Sequence, residues 1–218
     1  MHLVDCFVEV FSFVRVQLND ENAGMSEPSF REKIDELFAS KVHMALESGY
    51  QASHYDDAKF AVVAWIDEQI LSSNLAFKES WRSRLLQTHY FNSVKGGQQF
   101  FEKLNLLDQF DAFDMDVREV FFYCLAFGFH GKYYTDAGLT ELAAIRKSNL
   151  QLLSQNQGKD FTSNWFSQLP VEGGEQNVQS KPAGWAVMFG LPLLAVVVVT
   201  AWMRVDLLHT LENLIKSF

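Results

Sequence analysis

Through the first 153 residues, apolar positions recur at helical spacing, and no stretch alternates with period two for long enough to make a strand. Leu3, Phe7, Val8, Phe11 and Val14 predict a helix over 3–17. After a polar loop, Ser26 with Pro28 in the first turn opens a second helix, whose stripe is Phe30, Ile34, Leu37, Phe38, Val42 and Ala45 and which Gly49 ends. Ser53 is placed to cap a third, with Asp56 and Asp57 suiting its positive end. This third helix is apolar nearly all round from Phe60 to Ile66, which predicts a central position. A fourth helix is expected over about 79–91, from Trp81, Leu85, Leu86 and Tyr90. Gly96-Gly97 breaks the chain before Phe100, Phe101 and Leu104. A further helix over about 115–129 ends in the turn Gly128-Phe-His-Gly131, and a last one carries Leu139, Leu142, Ile145, Leu150 and Leu153. The fold class is therefore all-α, a compact helical bundle of about seven helices.

Beyond residue 153 the composition shifts to Ser, Gln, Asn and Gly, so that 154–183 reads as a polar linker. Within it Phe161, Trp165, Phe166 and Leu169 share one face of a short helix suited to the domain or to a membrane interface. An uncharged run follows from Trp185 to Met203, the core of a span placed at 184–203. Nineteen residues at 1.5 Å rise reach roughly 28 Å, close to the hydrocarbon thickness of a bilayer. Its first polar side chain is Thr200, and Trp185 and Trp202 stand near its ends, where indole prefers the interface. Ala186 and Gly190, at i, i+4, give a small-residue face for self-association. A tail, 204–218, ends the chain with a short apolar stripe. The N-terminal segment has no basic region, no cleavage site, and acids at Asp5 and Glu9, so it does not read as a signal peptide. The expected arrangement is a single pass through a membrane, with the helical domain cytoplasmic and the C-terminus on the opposite side.

Charge narrows the class of partner. Residues 1–153 carry 22 acidic against 14 basic side chains, a net of −8, which argues against nucleic acid and against docking of this domain on anionic lipid. Cys6 and Cys124 lie in apolar helical surroundings and read as buried small hydrophobes in a reducing compartment. Gly128-x-x-Gly131-Lys132 lacks the full phosphate-loop pattern and follows no strand. His43 and Glu47 share a helix face without a third ligand in sight, so an exposed face is the expectation and no metal or cofactor site is assigned. No catalytic constellation appears, which implies a protein that is not an enzyme.

Asp67-Glu68 ends the apolar heptad of the third helix, and a buried carboxylate is costly unless it is paired. Composition allows three readings: a solvated pair where the helix turns outward, an acidic patch offered to a basic partner, or an internal clamp on Arg82, Arg84 or Arg146. Adjacent helical residues point about 100° apart, so one acid is expected at the surface.

Three strings carry a resemblance. Phe60 to Leu71, with Asp67-Glu68 at its heart, resembles the "A-x-x-D-E-x-[IV]-L" helix of the TssL/DotU family of bacterial secretion systems. Asn92-x-x-x-Gly96-Gly97-x-x-Phe100-Phe101 resembles that family's "N-x-x-x-G-G-x-x-F-F" segment. Tyr123 through Gly128, Gly131 and Tyr133, followed by Glu141 and Arg146, resembles its "LGFxGxY…EL…R" block. The resemblance implies a hook-like helical cytoplasmic domain and a non-enzymatic inner-membrane scaffold of a type VI secretion system. The implied partners are a second copy of itself, a TssM/IcmF-like membrane protein and the baseplate. By the same resemblance Asp67, Glu68, Asn92, Gly96, Gly97 and Gly131 belong to a partner-binding groove. Lys95, Phe127, His130 and the Asn74-to-Phe77 segment depart from the family pattern and point to a divergent subtype. The alternatives are a DotU-like component of a type IVB apparatus and a generic tail-anchored adaptor.

Overall fold

The computed structural model describes residues 1–19 and 25–157. The span at 184–203 with Ala186 and Gly190, the linker from residue 158 onward and the tail lie outside the described residues. Among the described residues no helix is long and apolar enough to cross a membrane.

A short 3-10 turn, Leu3–Cys6, leads into α1 (Val8–Asn19), α2 (Glu27–Glu47), α3 (Ala52–Ser72), α4 (Lys78–Ser83) and α5 (Leu86–Phe91). Then come α6 (Gly96–Leu106), α7 (Ala112–Ala126) and α8 (Asp136–Gln157). No strand forms among the described residues. As its all-round hydrophobicity requires, α3 is central: Phe60 through Asp67 are all buried, and it packs against α1, α2, α4, α5, α6 and α7. Its largest neighbour is α7, buried from Val117 to Leu125, which also carries α8 on its far side.

Aromatic side chains fill the space between these layers. Phe100 meets Phe129 and Phe121 at ring-centroid distances of 4.3 and 4.7 Å, and Phe11 bridges Trp65 and Phe127 at 5.0 and 5.1 Å. Such pairs each add about 0.5–1.5 kcal/mol beyond the area they bury. Cys6 and Cys124 are free and buried, as expected, and burial pushes the Cys6 thiol up to about 11, with Asp5 adding to the effect. His43 and Glu47 stand on an exposed face, also as expected.

Several boundaries differ from those the sequence suggested. Ser26 caps α2 by accepting the Ser29 N–H at 3.4 Å, but α3 begins from Gln51, which leaves Ser53 inside its first turn. The expected helix over 79–91 is two helices, because Leu85 takes an extended conformation (ψ 145°) between α4 and α5. Gly96 and Gly97 open α6 instead of breaking the chain; the break lies just before them, where Asn92 ends α5 in the left-handed region (φ 49°). Asn tolerates that conformation better than most residues. At the other end α8 runs to Gln157, past the boundary expected at 153.

The α2 N-terminus is fastened to α4 by a buried acid that no local pattern marks. Glu27 accepts from Arg31 Nε at 2.8 Å, from Arg84 Nη2 at 3.3 Å and from the Ser80 hydroxyl. The Arg31 guanidinium lies 3.9 Å from the Trp81 ring and donates to the Arg84 carbonyl at 2.5 Å. Burial pushes the Glu27 carboxyl up, but the Ser80 and Arg31 hydrogen bonds and the two guanidinium charges outweigh it and hold the group below its ordinary value. A carboxyl depressed in the fold adds stability above its unfolded pKa, near 4.5, and loses it as pH falls through the folded value. Glu27→Gln should therefore cost about 1–3 kcal/mol at pH 7. The gap from the native chain should narrow as pH is lowered from 4.5. Urea denaturation of both proteins across pH 3–7 checks this; a gap constant with pH would remove the charge from the argument.

Candidate functional site

The two acids at the end of the α3 heptad point in different directions, and each ties α3 to another part of the chain. Asp67 is 1 % exposed. Its Oδ1 accepts from Trp81 Nε1 at 2.8 Å and from the Leu86 N–H at 2.9 Å, and its Oδ2 accepts from the Gln87 N–H at 2.9 Å. The two backbone donors belong to the first turn of α5, where N–H groups have no partner within their own helix. Asp67 thus caps α5 from a distance, which explains why the chain separates α4 from α5 at Leu85. Burial raises the Asp67 carboxyl above its ordinary value, and these hydrogen bonds work against that rise.

Glu68, one position on, faces the turn after α7. Its side chain is 11 % exposed. Oε1 accepts the His130 N–H at 2.7 Å and Oε2 the Gly131 N–H at 2.8 Å, while the Tyr134 hydroxyl donates to Oε2 at 3.2 Å. Arg146 also feels this charge: burial lowers its guanidinium from the ordinary value and Glu68 opposes the shift.

Of the two acids, Asp67 is the one turned fully inward, its carboxylate enclosed by three N–H donors, while Glu68 keeps a small exposure. Of the three arginines considered as partners of one acid or the other, Arg84 pairs with Glu27, Arg82 lies 3.7 Å from Glu79, and Arg146 feels the charge of Glu68. Asp67 instead uses an indole and two backbone amides, donors that charge pairing in the sequence does not reveal.

The glycines close the circuit between the acids. The Gly96 N–H donates to Gln87 Oε1 at 2.6 Å, and a Cβ at Gly96 would stand 2.5 Å from the same oxygen. Gly97 and Gly131 lie back to back: a Cβ on Gly131 would meet the Gly97 carbonyl oxygen at 2.6 Å and Phe101 at 2.7 Å. Gly131 also has φ +58°, which costs any residue with a side chain. The path Asp67–Gln87–Gly96–Gly97–Gly131–Glu68 is a closed ring of close contacts that joins α3, α5, α6 and the α7–α8 turn. Gln87 is the member that sequence reading missed, and nothing in its local pattern marks it.

Asn92 stands apart from this ring. It is exposed on the rim of an open cleft of about 550 Å³, walled by Phe60, Phe91, Val94, Lys95, Glu102 and Lys103. Among the predicted site residues described, Asn92 faces solvent while the acids and glycines set the packing behind it. Lys103, on the cleft wall, is held by Asp57 at 2.5 Å.

Removing the α5 cap tests this assignment. Asp67→Ala leaves three N–H donors without an acceptor, two of them on backbone, and should destabilise the domain by about 3 kcal/mol or more. In a domain of this length that corresponds to a melting temperature lower by roughly 10 °C. Asp67→Lys with Glu68→Lys should melt lower still; an unchanged melt by circular dichroism would return both acids to the surface.

The sequence model of the family described as "Type VI secretion system protein DotU" matches residues 2–206. No curated protein gives a match. Among solved structures, the cytoplasmic domain of TssL from Acinetobacter baumannii is 28 % identical, with a TM-score of 0.65 over 71 % of this chain and 98 % of that one. TssL from Vibrio cholerae shares the fold at 23 % identity and a TM-score of 0.58, over 70 % of this chain and 95 % of that one. SciP/TssL from enteroaggregative Escherichia coli 042 does so at 20 % and 0.53, over 80 % and 96 %. The three sequence strings that meet in the ring of acids and glycines, and the family match that runs through them, give one answer: this chain belongs to the DotU family of type VI secretion system proteins.

Proposed function

We propose that the chain is a non-enzymatic inner-membrane scaffold, anchored by its C-terminal apolar run, that joins a TssM/IcmF-like membrane complex to the cytoplasmic baseplate. The observation that carries this reading is the extent of the family match. Residues 2–206 take in both the helical domain and the run from Trp185 to Met203, so domain and anchor belong to one inherited unit. The chemistry of the domain supports it. Asp67, Glu68 and Glu27 are engaged by donors that hold helices together, the use a rigid adaptor makes of buried acids. The family description also favours the type VI reading over the type IVB alternative.

In this reading the ring of acids and glycines fixes the geometry of the partner-facing surface, and the contact itself is made at the cleft rim beside Asn92. Val94, 73 % exposed on that rim, and the apolar floor of Phe60 and Phe91 offer an anchor point flanked by Lys95 and Glu102. Exposed apolar groups inside a polar frame suit protein recognition. Val94→Asp should leave the melting temperature within about 2 °C of the native value, because surface changes of this kind stay near ±0.5 kcal/mol. It should nevertheless abolish co-purification of baseplate components from cells that assemble the system. Full retention of those components would place the contact elsewhere.

Topology gives an independent test. A cysteine in the 170–182 linker should resist an impermeant thiol reagent in intact cells, whereas one replacing Ser217 should react. The opposite pattern would reverse the orientation and separate the domain from a cytoplasmic baseplate.

A further inference from the structure

The N-terminal half of α7 carries a different cluster, formed where the first residues of the chain pack on it. Asp116 and Glu119 are separated by three positions on α7, so both point to the same side of the helix. His2, immediately before the 3-10 turn, places its Nδ1 3.3 Å from Asp116 Oδ1 and 3.6 Å from Glu119 Oε2. The three ligating atoms all lie within 4.8 Å of one another. A tetrahedral zinc ion with bonds of about 2.0–2.2 Å holds its ligand atoms roughly 3.3–3.6 Å apart, so two of the three spacings need little adjustment.

The surroundings of Asp116 point the same way. The Tyr50 hydroxyl donates to its Oδ2 at 2.5 Å and leaves Oδ1, the oxygen on the other side, turned toward His2. That is the arrangement of a metal-ligating carboxylate fixed by an outer hydrogen bond. Tyr50 is itself held by burial and by edge contact with Phe113, 5.5 Å between ring centroids. The carboxylates are mostly shielded, at 21 % and 6 % side-chain exposure, while the imidazole is 55 % exposed and gives access from solvent. Asp5, whose carboxylate accepts the His2 N–H at 3.0 Å, adds a third acid beside the cluster.

From this geometry we propose that His2, Asp116 and Glu119 form a site for a divalent transition cation of the zinc type. The ion takes the imidazole nitrogen and one oxygen from each carboxylate, and water completes its shell. It pins the N-terminal turn to α7, the helix that also packs on α3. The site serves structure rather than chemistry: one ligand comes from the first turn of the chain and two from its middle, so the ion links segments about 114 residues apart in sequence.

The test uses the full chain, free of any affinity tag, in detergent micelles after dialysis against a chelator. Zinc chloride is titrated by calorimetry and cobalt chloride by visible absorption. The expected result is one equivalent of Zn²⁺ with Kd at or below about 10 µM, and Co²⁺ bands of a low-coordinate site. His2→Ala, an exposed change that spares the core, should weaken zinc by at least about tenfold and abolish the rise in melting temperature that zinc gives the native chain. Tyr50→Phe, which keeps all three ligands, should weaken zinc by about tenfold through the lost outer hydrogen bond. His43→Ala should bind as the native chain does. No binding by the native chain below about 100 µM, or equal binding by His2→Ala, would overturn the site and leave a hydrogen bond from the imidazole to Asp116 with Glu119 beside it.

Discussion

Two adjacent carboxylates on the central helix of a bundle are an expense that the fold must justify. Asp67 and Glu68 are separated by about 100° of helical rotation, and because α3 has neighbours on every side, each acid meets a different one. Asp67 receives the open end of α5 and the Trp81 indole; Glu68 receives two backbone amides of the turn after α7. In both cases the donors are groups that would otherwise be left without partners, so the charge and the orphan amides satisfy each other. The six-residue α5 depends on this cap, since a helix of that length is not stable by itself.

Glycine makes the same junction sterically possible. The start of α6 approaches the 128–131 turn so closely that no Cβ fits between Gly97 and Gly131, and Phe101 and Phe129 close the sides. The hydrogen bonds of Glu68 hold the turn from one direction and the aromatic rings from the other. A ring joining four elements by carboxylates and backbone contacts holds α3, α5, α6 and the α7–α8 turn in one fixed arrangement. The cleft beside Asn92 borders this junction through the α5–α6 connection, so its shape depends on the ring although its rim is solvent-exposed.

Charge is distributed in keeping with that division. The domain carries an excess of acid, yet Asp67 and Glu27 are buried and Glu68 nearly so, each engaged by internal donors. Glu27 relies on guanidinium partners and is held as a carboxylate; Asp67 relies on neutral N–H donors, and burial weighs more heavily there. Two clamps of similar sequence appearance thus have opposite electrostatic character, decided by what faces them across the packing.

The sequence by itself determined the helical class, the central place of α3 and the burial of both cysteines. Each follows from which side chains are apolar and at what period, a property of one segment at a time. It also carried the family, because three short strings keep their order and spacing. What only the tertiary structure decided is where those strings meet. The resemblance marked Asp67, Glu68, Asn92, Gly96, Gly97 and Gly131 as one set, and in three dimensions all of them but Asn92 meet in a single junction between helices. Trp81, Gln87 and the backbone amides of Leu86 and Gly131 became partners of the acids only once α4, α5 and the α7–α8 turn had packed on α3. The break at Leu85, invisible to periodicity because both flanking stretches are good helix, follows from the cap that Asp67 supplies. His2 approaches Asp116 and Glu119 for the same reason: contacts between residues a hundred positions apart are set by how helices stack, and no local pattern records them.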